Sequence, residues 1–313
     1  MAPVNTSIVL AKNAAEIAQT HGLNYELATA LKDMAATEVS SDLQAAIQDS
    51  RESMAAAARS GVGRAQDIAT SNLLLALWTA GRLDEIHTVL DEFTVSSAGG
   101  TSSLVTGCIA VMLAQAQGRP LPPAGPSLST ENMQVSAWQR FIDTMYAGDE
   151  GDQSRVAGDA RSALDDALAA GGLGDDFYFI WPQLTLLSLS VGSLDVAEGM
   201  LSVVTGARPE LLPLGITAQW HRLRGLIAAA KGETELVESA LRAGIEALGE
   251  YGAWGHRAQA QEELARWLVT QHRPDDAQPF IDAARTTYTD IGAAGWLAKL
   301  DAWDTSRHST VAR

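Results

Sequence analysis

Gly192-Ser193-Leu194-Asp195-Val196-Ala197-Glu198-Gly199-Met200-Leu201 and Gly232-Glu233-Thr234-Glu235-Leu236-Val237-Glu238-Ser239-Ala240-Leu241 are two copies of one pattern, forty residues apart. A third copy follows at the same interval, placing Ala277 under Ala197 and Val237, and Ile281 under Leu201 and Leu241. Gly252-Ala253 likewise returns as Gly292-Ala293. Columns of this kind are what stacked helical units require, because each unit must show its neighbours the same small or apolar face. Both glycines that open the first two copies sit between helical patterns, where a chain turns back on itself.

Working upstream, the register meets further turns near Ser41, Gly81, Gly118 and Gly151, giving spacings of 40, 37, 33, 41, 40 and 40. At Gly81 a helix over 68–80 stops where glycine takes the left-handed conformation without a Cβ clash. The next begins near Leu83-Asp84-Glu85, with carboxylates at the positive end of its dipole. Leu264 and Leu268 lie one turn apart on one helix, and Ala277, Ile281 and Ala284 share a face of the next, so these residues are expected in the core. Alanine-rich composition with few aromatics (6%) favours helix throughout. Two stretches interrupt the pattern. Arg119-Pro120-Leu121-Pro122-Pro123-Ala124-Gly125-Pro126 stands where a second helix is due, and its prolines forbid one, so the array is expected to bend or split there. Ala170-Gly171-Gly172-Leu173-Gly174-Asp175-Asp176 reads as a linker. The expected organisation is therefore helical repeats over 1–118, a Pro-rich break over 119–130, further repeats over 131–303 and a frayed tail over 304–313. Residues 5–20 read as one amphipathic helix with Ile8, Ala11, Ala14, Ile17 and Ala18 on its apolar face. It is either a cap or the second helix of a hairpin cut off from its first.

Charge and cysteine usage narrow the function classes. The chain carries 22 Lys plus Arg against 38 Asp plus Glu, net −16, a field that repels phosphate backbones and anionic lipid. Cys108 is the only cysteine, so no intrachain disulfide forms and a reducing compartment is expected. No basic n-region opens the chain, and no run approaches the ~20 apolar residues of a membrane helix. The expectation is a cytoplasmic protein that binds neither nucleic acid nor membrane.

His21-Gly22-Leu23-Asn24-Tyr25-Glu26-Leu27-Ala28-Thr29-Ala30-Leu31 is one passage with a familiar cast. A second runs from Tyr251-Gly252-Ala253 through Arg257-Ala258 and Glu263-Leu264-Ala265 to Ile291-Gly292-Ala293-Ala294-Gly295-Trp296-Leu297. Both resemble the tetratricopeptide tails of large bacterial signalling proteins, where the tail follows a STAND-type ATPase module in MalT/LuxR-type transcription regulators and in cyclase-linked ATPases. The likeness is sharpest over about 50 residues at the C-terminal end and looser over the rest. It implies a right-handed α-solenoid of about seven tetratricopeptide-like helical hairpins, acting as a sensor or scaffold arm. A generic antiparallel helical array is the plainer alternative. No G-x-x-x-x-G-K-[ST], acidic metal motif or helix-turn-helix is present, so ATPase, cyclase and DNA-binding activities do not carry over.

Chemistry finds little footing. The six histidines form no metal-spaced pair, Asp84-Glu85-Ile86-His87 reads as a solvated face, and the glycines at 171–174 lack the Lys and Ser/Thr of a phosphate cradle. No enzyme, cofactor or metal is expected. Binding has more support. In tetratricopeptide geometry the first helix of each hairpin lines a concave face. Counting back from the turns places Trp78, Cys108, Met112, Trp138, Phe141, Met145, Phe179 and Leu186 there, followed by the polar Gln219, Arg222, Gln259, Glu262 and Arg266, with Trp220 and His221 adjoining. Such a row would receive a protein or peptide partner, or else a small hydrophobic molecule in a free-standing drug-sequestering or inducer-binding protein. The alternative is that these side chains are simply core.

Overall fold

The computed structural model of the chain describes residues 6–92, 100–125, 130–172, 174–207 and 212–311, and among them every regular element is an α-helix. After α1 (Thr6–His21), the pair α2 (Asn24–Glu38) and α3 (Leu43–Ser60) encloses the first turn. α4 (Gly63–Ala80) and α5 (Leu83–Glu92) flank Gly81, while α6 (Thr101–Gln117) ends at Gly118 without a second helix. Next come α7 (Met133–Glu150) with α8 (Gln153–Gly171), α9 (Asp175–Ser190) with α10 (Leu194–Gly206), and α11 (Leu214–Lys231) with α12 (Thr234–Tyr251). The series closes with α13 (Trp254–Thr270), α14 (Pro274–Asp290) and α15 (Ala294–Val311). Consecutive helices are packing neighbours along nearly the whole chain. No helix among the described residues is long and apolar enough to cross a membrane.

The turns are built as the register requires. Gly81, Gly118, Gly151, Gly192 and Gly232 all have φ between 68° and 78°, the left-handed region that only glycine enters freely. The seventh position holds His272, a side-chain-bearing residue at φ 59°. The first turn, at Ser41, works differently: the Glu38 carbonyl accepts from the Ser41 and Asp42 amides, and the Asp42 carboxylate then accepts from Gln44 N and Ala45 N to start α3. Asn132 and Asp152 cap α7 and α8 in the same way.

The repeat columns lie in the core. Ala197, Val237, Ala277, Leu241 and Ile281 are fully buried, as are Leu264, Leu268 and Ala284, whereas Leu201 is half-buried. Two helical glycines have a packing reason: a Cβ on Gly225 would sit 2.8 Å from Leu241 Cγ, and one on Gly244 would sit 3.0 Å from Arg222 N. They let α11 and α12 cross at close range, which outweighs the ~1 kcal/mol that glycine costs inside a helix.

Two expectations change and a third is narrowed. On α1 the buried residues are Ala15 and Ala18, while Ile17, Val9 and Leu10 stand exposed, because α1 packs chiefly on α2 and so buries a narrower stripe. The tail does not fray at Asp304. α15 continues to Val311, held where Arg285 pairs with Asp301 and Asp304 at 2.9 and 2.8 Å and Arg307 donates to Gln278 Oε1 at 2.6 Å. The Pro-rich break is free of helix over 118–125 and 130–132, with residues 126–129 outside the described residues. It is pinned by Tyr146 OH donating to Pro122 O at 2.7 Å. Yet the array does not split there. It curls until α13 meets α4 and α15 meets α6.

Candidate functional site

That curl decides the fate of the expected concave row. Trp138, Phe141, Cys108, Met112, Met145, Phe179 and Trp78 are all buried, and Leu186 is half-buried against the same core. The Trp138 ring lies 6.0 Å from Phe141 and 5.6 Å from Phe179, and these two phenyl rings are 6.5 Å apart. Burial pushes the Cys108 thiol well up. Trp78 faces Trp296 of α15 edge-on at 5.8 Å. The row was placed by assuming open curvature. With a tight curl, the inner faces of early and late helices fill one another, so the apolar middle of the expected groove is core. An aromatic-lined pocket for a hydrophobic molecule loses its lining by the same fact.

The polar end of the row is brought together, but as an internal network. Arg222, fully buried on α11, donates from Nε to Glu263 Oε2 at 2.8 Å and from Nη2 to Glu263 Oε1 at 2.5 Å and Gln259 Oε1 at 3.2 Å. Beside it, Glu262 accepts from Arg266 at 2.7 Å and from Tyr288 OH at 2.9 Å. His256 is buried next to this network. Desolvation, together with the Arg222 charge, lowers its pKa to about 3. Gln219 is buried one turn before Arg222. Trp220 is half-buried, donating to Thr205 Oγ1 at 3.0 Å under the Arg224 guanidinium, and its neighbour His221 is titrated downward by burial.

Open space lies elsewhere, in a cleft that the sequence reading missed. Two adjoining cavities, about 530 and 390 Å³, share Ile68, Asn72, Leu75, Gln134 and Asp176. α4 forms the floor. The start of α6 (Gly100 to Val105) bounds one side, and Lys32, Asp33 and the end of α8 bound the other. Asp176, in the first turn of α9, accepts from Trp138 Nε1 and Gln134 Nε2, both at 2.7 Å. Burial nevertheless raises its pKa, against the effect of those hydrogen bonds. Asn72 Nδ2 donates to Lys32 O at 3.1 Å, tying α4 to α2. Exposed Arg64 stands at the rim. The cleft therefore offers hydrogen-bonding groups of both kinds beside the apolar Ile68 and Leu75. Its only sequence signal was Asp176 at the end of the glycine-rich stretch, where linker and helix start coincide.

Among the described residues no three His, Cys, Asp or Glu side chains converge in a way that could hold a metal. No protein-family model matches the chain, and no curated protein matches it.

Proposed function

We propose that the chain is a non-catalytic helical-repeat binding module, a sensor or scaffold arm that recognises a protein partner or inducer. In this reading the helix pairs form a right-handed α-solenoid of about seven tetratricopeptide-like hairpins, with α6 as a hairpin reduced to one helix. The likeness of residues 21–31 and 251–297 to the tails of STAND-type signalling ATPases supports a regulatory arm. The observation that carries the reading is the cleft. Its polar groups come from α2, α4, α6, α7 and α9, elements far apart in sequence, and they line open space while Gln134 and Asn72 also tie the walls together through Asp176 and Lys32 O.

The test uses a ligand panel of peptides and small polar and apolar molecules, read by thermal stability. A ligand at 100 times its Kd adds about 2.7 kcal/mol to stability. Ile68→Trp fills both cavities from their shared floor. The reading expects that ligands stabilising the wild type no longer stabilise this variant, while its unliganded melting temperature stays close to wild type. Ligands that stabilise both proteins equally would place binding elsewhere and refute the cleft.

A further inference from the structure

The donors around the cleft are largely committed to its own walls. Trp138 Nε1 and Gln134 Nε2 both donate to the Asp176 carboxylate, Asn72 Nδ2 donates to Lys32 O, and Ser71 Oγ donates to Asp67 O. Acceptor capacity is left over. An ionised carboxylate accepts about four hydrogen bonds, so Asp176 keeps about two acceptor positions beyond these contacts. Asp176 is half-buried and lines both cavities.

Asp176 also lacks a counter-charge. Burial is the largest influence on its carboxyl and raises the pKa, and among the described residues no lysine or arginine acts on it. The two cations that line the cleft are engaged or outlying: Lys32 pairs with Asp33, and Arg64 stands exposed at the rim. Asp67, which is buried, adds a second carboxylate to the wall of the larger cavity. Carboxylates thus outnumber cations along the lining, in Asp33, Asp67 and Asp176 against Lys32 and Arg64. Asp176 has been drawn partly out of water without the ion pair that ordinarily offsets such a cost. Among the described residues no three His, Cys, Asp or Glu side chains converge to hold a metal, so the cation that completes this wall is an organic one.

We propose that the cleft takes a small organic amine, its ammonium group seated on Asp176 and its carbon body against Ile68, Leu75 and Val105. A primary ammonium carries three donors, one positive charge and no acceptor, which answers a carboxylate with open acceptor positions and no cation. Ile68 and Leu75 face both cavities, and Val105 bounds the larger, whose volume of about 530 Å³ suits a molecule of drug size or smaller. The field of the chain, net −16, draws such cations in and repels anionic competitors. This inference rests on the cleft being a binding site and names the chemistry that the site selects.

The test compares probes that differ only at the charge: 2-phenylethylamine against 2-phenylethanol, and hexylamine against hexanol. Each is titrated calorimetrically into wild type, Asp176→Asn and Ile68→Trp. Wild type, which needs no substitution, is expected to bind each amine at least about tenfold more tightly than its alcohol. Asp176→Asn keeps the size of the side chain and still accepts from Trp138 through Oδ1. Its Nδ2 donates to Gln134 once that amide is turned over, so the variant is expected to keep the wild-type circular dichroism and melting temperature. In it, amine and alcohol are expected to bind alike. Amines that bind wild type no better than their alcohols, or do not bind at all, overturn the amine assignment. The cleft itself still stands where Ile68→Trp abolishes binding of both members of a pair. A preference for the amine that survives Asp176→Asn also overturns the assignment, since the charge is then met elsewhere. Binding that Ile68→Trp leaves unchanged overturns the cleft and the amine together.

Discussion

His256 makes the stability of this fold sensitive to mild acid, and the effect has a definite sign. An ordinary imidazole titrates near 6.5, whereas burial and the Arg222 charge hold His256 down to about 3. Between these values the unfolded chain takes up a proton that the folded chain refuses. Stability is therefore intact above pH 6.5 and lost as pH falls toward 3, by up to about 1.4 kcal/mol per pH unit. From about pH 7.5 to about pH 5 the loss is on the order of 2 kcal/mol, because only the portion below 6.5 counts. His256→Gln keeps a neutral polar side chain of similar reach and removes the titration. Urea unfolding followed by far-ultraviolet circular dichroism at both pH values measures it. Wild type is expected to lose about 2 kcal/mol more than the variant on acidification. Carboxylates that titrate in the same window are common to both proteins and drop out of the difference. Equal losses would show that His256 takes up its proton in the folded state, which contradicts its burial against Arg222.

Three further outcomes follow from individual side chains. Trp138→Ala is expected to cost about 3–5 kcal/mol, as a large aromatic removed from a filled core does; an unchanged melting temperature would mean that the inner row is open after all. His272→Gly relieves a side chain held at φ 59°, and a gain of about 1 kcal/mol in chemical unfolding is expected, with a loss showing that the imidazole does something there that glycine cannot. Glu38 is pushed up to about 7 by partial burial and by the neighbouring Asp49 and Asp42 carboxylates, against a weak pull from Lys12. The folded chain there holds a proton that the unfolded chain releases, so stability falls as pH rises from 4.5 to 7. Glu38→Gln is expected to stabilise the fold by about 1 kcal/mol at alkaline pH, after discounting for a group half in solvent, and by less in acid; equal gains at both would refute the raised pKa of Glu38.

How much of this was legible follows from what each feature depends on. The helices, the glycine turns and the buried columns at 197, 237 and 277 depend on local propensity and on contacts one repeat away, which periodicity displays. The proline break is likewise local. Closure of the array depends on the sum of small rotations between successive helices, and no single residue announces that sum. Nothing in the sequence marks Gly295 out, and only its approach to Gly118 explains it. Placing the concave row from turn spacing found the right side chains and the wrong surroundings: Trp138 and Phe141 do point inward, but onto Phe179 instead of into solvent. The helical end of the chain was missed because Arg285, 16 and 19 residues before its partners Asp301 and Asp304, holds it from the neighbouring helix. The cleft was missed because its residues converge from six helices, each unremarkable alone.

The interruption near residue 120 and the closure of the array are one structural event. Every other turn in the register delivers a second helix to cover the first, but after Gly118 the prolines withhold it. α6 is the most uniformly apolar of the early helices: Val105, Ile109, Val111 and Leu113 are buried on several sides of it, and it cannot stand with its end bare. α15 packs on α14 and also reaches α6. α6 and α15 meet at glycines because nothing larger would allow α15 so close to the turn at Gly118. A break that might have divided the molecule thus creates the vacancy that closes it.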